Sequence, residues 1–66
     1  MTSKERYIIF AYARNDMNAL KTAKNISCHR NAVEYHLVKI EEKYGLNPKK
    51  FYDLVKLVEM AKGSAE

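Results

Sequence analysis

The sequence predicts an all-α fold in which four helices form a single compact domain over residues 1–66. Apolar residues recur three and four positions apart, as on one face of a helix, whereas the alternation typical of a strand never persists. Capping and stop signals divide the chain into four helical segments. A chain of 66 residues, 47% of them hydrophobic, has enough apolar side chains for one small core.

The first predicted helix begins near Ser3 and continues to Arg14. Thr2 and Glu5 have the spacing of a capping box, in which each side chain accepts a hydrogen bond from the backbone of the other residue. The side chains expected on the buried stripe of this helix are Ile8, Ala11 and Tyr12.

The second predicted helix spans roughly residues 17–24, and either Asn15 or Asp16 is expected to cap it. Asn and Asp suit this position because their side-chain oxygen accepts a hydrogen bond from a free backbone N–H of the first turn. The side chains expected to face inward are Leu20, Ala23 and Ile26.

Ser27 or Cys28 is expected to precede the third helix, which continues to about Lys43. Gly45 is the residue expected to end this helix in the left-handed conformation, with Leu46 folding back onto it. The expected buried stripe, at helical spacing, is Val33, Leu37, Ile40 and Tyr44.

Asn47 and Pro48 predict the start of the fourth helix, as a cap followed by proline at the first helical position. This helix is expected to reach Gly63, and the tail 64–66 is expected to fray. The side chains expected to face inward are Phe51, Leu54, Val55, Val58 and Ala61.

Residues 19–38 fit the pattern of a helix-turn-helix, so we expect such a unit over about residues 17–44. Ala23 lies where the two helices cross too closely for a larger side chain, and Ser27 lies in the tight turn. The small or branched apolar residues expected to face inward are Ile26, Cys28, Val33 and Leu37. Cys28 is therefore expected to be a buried, inert thiol. The unit leaves one face of its second helix free to enter a DNA major groove.

The free face of the third helix predicts contacts with bases, because the first turns of a recognition helix reach the base edges. The expected base contacts are Arg30, Asn31, Tyr35 and Glu34. Arg30 suits the two acceptors of guanine, and Asn31 suits adenine. Glu34 is expected either to accept from cytosine or to orient Arg30.

A second set of residues is expected to contact the DNA backbone and to set the docking angle. This set is His29, Lys21, Thr22, Lys24 and Lys39. His29 either caps the third helix or meets a phosphate, and His36 is expected at the edge of the core. No metal site or cofactor is expected, because the two histidines and the single cysteine lack ligand spacing.

Charge and composition agree with an anionic partner. Twelve basic and eight acidic residues give a net charge of +4. The single cysteine fits a reducing compartment, and the longest apolar stretch is too short for a membrane span, so we expect a cytoplasmic protein. No catalytic constellation stands out, so we do not expect an enzyme.

From Thr22 onward the chain resembles the C-terminal helix-turn-helix domain of PucR/CdaR-type bacterial transcription regulators. The residues that carry the resemblance are Thr22, Ala23, His29, Arg30, Asn31, Tyr35, Leu37, Ile40, Glu41, Glu42, Gly45 and Leu46. The resemblance implies a role in DNA contact for His29, Arg30, Asn31 and Tyr35. Ala32 stands where the family usually has Thr, and Glu34 and His36 stand where it usually has Arg.

The leading interpretation is a free-standing, sequence-specific double-stranded DNA-binding protein, a small transcriptional regulator. The alternative is a protein-interaction module that keeps the fold and has lost DNA contact, which Glu34 and His36 favour. We also expect a homodimer through the first and fourth helices, because Ile9, Leu57 and Met60 lie off the predicted core stripes. The other possibility is that these three residues pack within the core of a single domain.

Overall fold

The computed structural model describes residues 1–63. These residues form four helices and no strand, namely α1 (Ser3–Arg14), α2 (Ala19–Asn25), α3 (Arg30–Tyr44) and α4 (Phe51–Gly63). The all-α prediction is confirmed. The tail 64–66, which was expected to fray, lies outside the described residues.

The predicted capping box at the start of α1 is present. Thr2 Oγ1 accepts a hydrogen bond from the Glu5 N–H at 3.1 Å, and Glu5 Oε1 accepts one from the Thr2 N–H at 2.8 Å. The helix ends at Asn15, whose side-chain Nδ2 donates to the Ala11 carbonyl at 2.8 Å. Both ends of α1 are therefore held by side chains close to them in sequence.

α2 begins later than predicted, because Asn18 caps it instead of Asn15 or Asp16. Asn18 Oδ1 accepts from the Lys21 N–H at 2.9 Å. Asp16 and Met17 have φ values of 61° and 58°, a left-handed conformation that no helix can include. The prediction that Leu20 faces inward is wrong, since its side chain is 47% exposed.

The turn between α2 and α3 has the expected residue at its centre and one misplaced residue beside it. Ser27 adopts a φ of 58°, as a tight turn requires. His29, and not Ser27 or Cys28, is the N-cap of α3, so Cys28 remains in the turn. The prediction that Cys28 is buried is wrong, because its thiol is exposed while its N–H donates to the Ala23 carbonyl at 2.9 Å.

One hydrophobic core joins the helices, and the predicted stripes of α1 and α3 contribute to it. Its buried members are Ile8, Ile9, Tyr12, Ala23, Val33, Leu37, Ile40, Leu54 and Leu57. Ile9 and Leu57, which were expected outside the core, are both fully buried. The possibility that they pack within a single core is the one that the structure supports.

α4 buries a different face from the one predicted. Asn47 Oδ1 accepts from the Lys49 N–H at 2.9 Å, but this caps a turn at residues 48–50 and the regular helix starts at Phe51. Phe51 is 62% exposed and Val55 41% exposed, so the prediction that they face inward is wrong. Leu57 takes the place in the core that Val55 was expected to fill.

The C-terminal end of α3 is fixed to the start of α1 by a cluster of polar side chains. Tyr44 Oη donates to Glu5 Oε1 at 2.6 Å, and Lys43 Nζ donates to Glu5 Oε2 at 3.1 Å. Burial tends to raise the pKa of Glu5, but the hydrogen bonds from Tyr44, Thr2 and Lys43 outweigh it and lower the pKa to about 2. The helix ends at Gly45, whose φ of 71° confirms the predicted left-handed stop.

Candidate nucleic-acid interface

The outer face of α3 carries exposed side chains that no other helix covers. Asn31, Tyr35 and Val38 are exposed, with Tyr35 at 59% and Val38 at 48%, while Val33 and Leu37 on the opposite side are buried. This is the division between faces that the helical spacing predicts. The exposed face is therefore available to a macromolecular partner.

His29 organises the start of α3. Its Nδ1 accepts a hydrogen bond from the Asn31 N–H at 3.0 Å, so the capping role expected for His29 is present. A neutral imidazole that accepts at Nδ1 carries its proton on Nε2, which leaves Nε2 as a hydrogen-bond donor. His29 can therefore cap the helix and donate to a partner at the same time.

Arg30 and Asn31 follow this cap in the first turn of α3. Within residues 1–63 neither side chain has a hydrogen bond or an ion pair, and both are exposed. An arginine and an asparagine with all their hydrogen-bonding groups free can each form two parallel hydrogen bonds to a base edge. Two of the four residues expected to contact bases thus lie next to each other at the N-terminal end of the helix.

Most of the net positive charge of the chain comes from the segment that leads into α3. No acidic residue lies between Asp16 and Glu34, whereas Lys21, Lys24 and Arg30 fall within that stretch. Three of the four net positive charges therefore come from this segment. The first turn of α3 also has no acidic side chain to offset the positive end of the helix dipole.

The three lysines differ in how free they are. Lys21 Nζ lies 2.7 Å from Asp16 Oδ2, and this hydrogen bond lowers the pKa of the Asp16 carboxyl. Lys24 is exposed and has no ion pair among the described residues. Lys39 Nζ lies 3.8 Å from Glu42 and 5.8 Å from the centre of the Tyr35 ring, so it remains close to the outer face.

A model of the PucR C-terminal helix-turn-helix domain matches residues 8–60 of the chain. The chain belongs to this family. The match extends from α1 through α4, so it takes in helices outside the stretch from Thr22 to Leu46 that carries the resemblance in sequence. No curated protein and no solved structure matches the chain.

Glu34 of this PucR-type domain has a partner that the sequence did not reveal. Lys49 Nζ, from the turn before α4, lies 2.7 Å from Glu34 Oε1. The hydrogen bond to Glu34 raises the pKa of Lys49, partly offset by burial. Glu34 therefore neither orients Arg30 nor presents a free carboxylate to cytosine in this structure. No local pattern could have indicated Lys49, because the pair joins two elements that meet only in the folded chain.

Thr22 does not belong to the contact surface predicted for it. Its side chain is fully buried, and its hydroxyl donates to the Asn18 carbonyl at 2.8 Å. A buried hydroxyl that bonds its own helix cannot reach a phosphate, so the prediction that it contacts the DNA backbone is wrong. The residue stabilises the start of α2.

Among residues 1–63, no group of three or more His, Cys, Asp or Glu side chains is arranged to hold a metal ion. Within the same part of the chain, no helix has both the length and the apolar character that crossing a membrane requires.

Proposed function

We propose that this PucR-type domain binds double-stranded DNA sequence-specifically, with α3 in the major groove, as part of a small transcriptional regulator. The observation that carries the proposal is the first turn of α3. There Arg30 and Asn31 are exposed and lack intramolecular partners, in a stretch without acidic residues. A partner with closely spaced negative charges and hydrogen-bonding edges suits both features.

The proposed roles follow from the chemistry of each exposed side chain. Arg30 forms two hydrogen bonds to guanine O6 and N7, and Asn31 forms two to adenine N6 and N7. Tyr35 packs on a thymine methyl group or donates to a phosphate. Each good pair of hydrogen bonds contributes about 1–3 kcal/mol of discrimination against a wrong base.

The backbone contacts proposed alongside are Lys21, Lys24, Lys39 and the Nε2–H of His29. Lys24 is the most available of these, since Lys21 must leave Asp16, 2.7 Å away, to bind a phosphate. Such contacts hold α3 in register but carry no sequence information. Neutralising phosphates releases counterions from DNA, so binding must weaken as salt rises.

The test is titration of the domain against a selected duplex and a random duplex at several salt concentrations. We expect a log–log slope that corresponds to about 3–4 phosphate contacts per domain. Arg30→Ala is expected to lose the preference for the selected duplex, while Lys62→Ala, an exposed lysine at the end of α4, serves as the matched control. Absence of a complex at low salt would contradict the proposal.

The alternative of a protein-interaction module has less support from the structure than from the sequence. Glu34 favoured it as an acidic residue near the expected DNA, but Lys49 lies 2.7 Å from this carboxylate and offsets its charge. His36 is half-buried beside α1, where it adds no negative charge. The same titration separates the two functions, because a module that has lost DNA contact gives no salt-dependent complex.

We further propose a homodimer that uses α1 and α4, on a surface other than the one the sequence indicated. Ile9 and Leu57 are buried and take no part in it. The exposed apolar side chains of α4 are Phe51 at 62%, Tyr52 at 77%, Val55 at 41% and Met60 at 38%. Phe51, Tyr52 and Val55 lie within about 100° of one another around α4. Exposed apolar side chains grouped in this way on a small domain are typical of an interface.

The shape of this α4 surface suits a second copy of the chain. A groove of about 450 Å³ runs between the end of α1 and α4, with Met17 and Val55 among its lining side chains. Glu59 also lines this groove, and it has no ion pair among the described residues. Two copies would present two α3 helices to successive major grooves, about 34 Å apart.

Sedimentation equilibrium tests the dimer without reference to DNA. We expect Phe51→Lys and Val55→Lys to give monomers at concentrations where the wild type is dimeric. Leu20→Lys, which places the same charge at an exposed apolar residue of α2, is the matched control and leaves the dimer intact. A wild type that is monomeric at tens of micromolar, both free and on a palindromic duplex, rules the dimer out.

A further inference from the structure

A second cationic region lies beside the outer face of α3, at the first turn of α1. A pocket of about 180 Å³ separates the two helices, with Lys4 of α1 and His36 and Lys39 of α3 among its lining side chains. The sequence alone indicates no role for Lys4, because this residue lies far from the helix-turn-helix in the chain and approaches α3 only in the folded domain. In the folded domain it lines the same pocket as a residue proposed to contact DNA.

The acidic residue of this pocket does not cancel its positive charge. Both oxygens of Glu5 accept hydrogen bonds, one from Tyr44 at 2.6 Å and the other from Lys43 at 3.1 Å. The Lys43 ammonium thus offsets the charge of this carboxylate. Lys4 itself is exposed and has no ion pair within residues 1–63, and the only carboxylate paired with Lys39 in that range is Glu42, at 3.8 Å.

The pocket also adjoins the face that is proposed to read bases. The Tyr35 and His36 rings pack edge to face with their centres 5.5 Å apart. Lys39 Nζ lies 5.8 Å from the centre of the Tyr35 ring, so Lys39 borders both the outer face and the pocket. A duplex with α3 in its major groove has a sugar–phosphate strand along each edge of that helix. One of those strands must pass on the side of α3 where Lys39 and His36 lie.

We propose that Lys4, His36 and Lys39 together bind one phosphate group of the DNA backbone, so that α1 contributes to the interface as well as the helix-turn-helix. The proposal rests on the proposed function, since it requires α3 in the groove. Lys4 and Lys39 supply the two charges, and the half-buried imidazole of His36, which lines the same pocket, supplies an N–H donor. The contact is to a phosphate, so it fixes the docking angle and does not discriminate between bases.

Binding measurements on Lys4 variants test the proposal. Lys4→Ala is expected to weaken binding to selected and random duplexes alike, by about 3–10-fold, and to lower the salt slope by about one contact. Lys4→Arg is expected to keep wild-type affinity, because it keeps the charge. Lys62→Ala is the matched control and leaves both affinity and slope unchanged. His36→Ala is expected to weaken both duplexes by a smaller factor, about 2–3-fold.

The outcomes distinguish this inference from the function on which it depends. If the wild type binds DNA and Arg30→Ala loses specificity while Lys4→Ala keeps wild-type affinity and slope, the phosphate site is wrong and the proposed function stands. If the wild type forms no complex, both fail. NMR signals of Lys4 and His36 are expected to shift with duplex and not with the same concentration of inorganic phosphate. Equal shifts with both, together with unchanged affinity of Lys4→Ala for DNA, would show a small-anion site instead.

Discussion

The two ends of α3 are built in opposite ways. At the N-terminal end, Arg30 and Asn31 are exposed, and their side chains have no hydrogen bond or ion pair with other described residues. At the C-terminal end, Lys43 and Tyr44 both donate to Glu5, at 3.1 and 2.6 Å, and the helix stops at Gly45. One helix therefore has one end committed to the fold and one end left for a partner.

The difference between the two ends of α3 shows where a small domain can place unpaired hydrogen-bonding groups. Side chains without partners add no hydrogen bond or ion pair to the fold, so a helix that presents them needs anchorage elsewhere. In α3 that anchorage comes from the Glu5 cluster and from the buried stripe of Val33, Leu37 and Ile40. Substitutions at the two ends should accordingly separate binding from stability.

The largest effect is expected where the packing that positions the N-terminal end of α3 is disrupted. Ala23 is 2% exposed, in the core between α2 and α3. Ala23→Leu must force a larger side chain into that core, which costs about 1–3 kcal/mol of unfolding free energy and is a large share for a domain of this size. Thermal melting of Ala23→Leu measures it. Lys24→Leu inserts the same side chain at the next, exposed residue and should melt near the wild type. Equal melting temperatures for the two variants would show that Ala23 does not lie where α2 and α3 cross.

The next prediction concerns the N-terminal end alone. Arg30→Ala and Asn31→Ala should each cost about 1–3 kcal/mol of binding free energy on the best site, because each loses a pair of hydrogen bonds to a base. Their melting temperatures should match the wild type, since neither side chain has a partner among the described residues. Isothermal titration and thermal melting of the same samples give both numbers. A drop in melting temperature without loss of binding would show that Arg30 and Asn31 serve the fold and not DNA binding.

At the C-terminal end of α3, Glu5→Gln should lower stability, whereas the substitutions at the N-terminal end should lower DNA binding. The variant loses a charge that accepts three hydrogen bonds, which is expected to lower the unfolding free energy by roughly 1–2 kcal/mol at neutral pH. Binding to DNA is expected to change little. Because folding lowers the pKa of Glu5 from 4.5 to about 2, its stabilisation is complete above pH 4.5 and is lost as the pH falls through 2. Urea unfolding at a series of pH values should show wild type and Glu5→Gln converging over that interval.

Local signals predicted the parts of this fold that depend on neighbours in sequence. The capping box of Thr2 and Glu5 and the left-handed stop at Gly45 are set within a few residues, and both were predicted correctly. The start of α2 was not, because Asn15 and Asp16 resemble caps as well as Asn18 does, and only the left-handed Asp16 and Met17 decide between them. Choices among equivalent local signals are made by the packing of the whole chain.

The face of α4 and the surroundings of the site lay further beyond the sequence. Phe51, Val55 and Leu57 fit two overlapping helical stripes, and contact with α1 and the core selects the stripe that buries Leu57. The partner of Glu34 is Lys49, which approaches only when the turn before α4 folds against α3. Periodicity identifies which residues share a face, but it does not say which neighbour the face meets.

The smallest effect is expected at His29. Substitutions there can separate its capping of α3 from its proposed contact with a phosphate. His29 Nδ1 caps α3 through the Asn31 N–H at 3.0 Å, and the phosphate contact proposed for His29 uses Nε2. Asparagine is a good N-cap residue, so His29→Asn should keep the melting temperature, whereas His29→Ala should lower the unfolding free energy by about 1 kcal/mol. Both variants lack the Nε2 donor and should bind every duplex slightly less well, by up to about fivefold. If His29→Asn binds DNA as tightly as the wild type, the residue serves the fold alone, and the end of α3 left for a partner begins at Arg30.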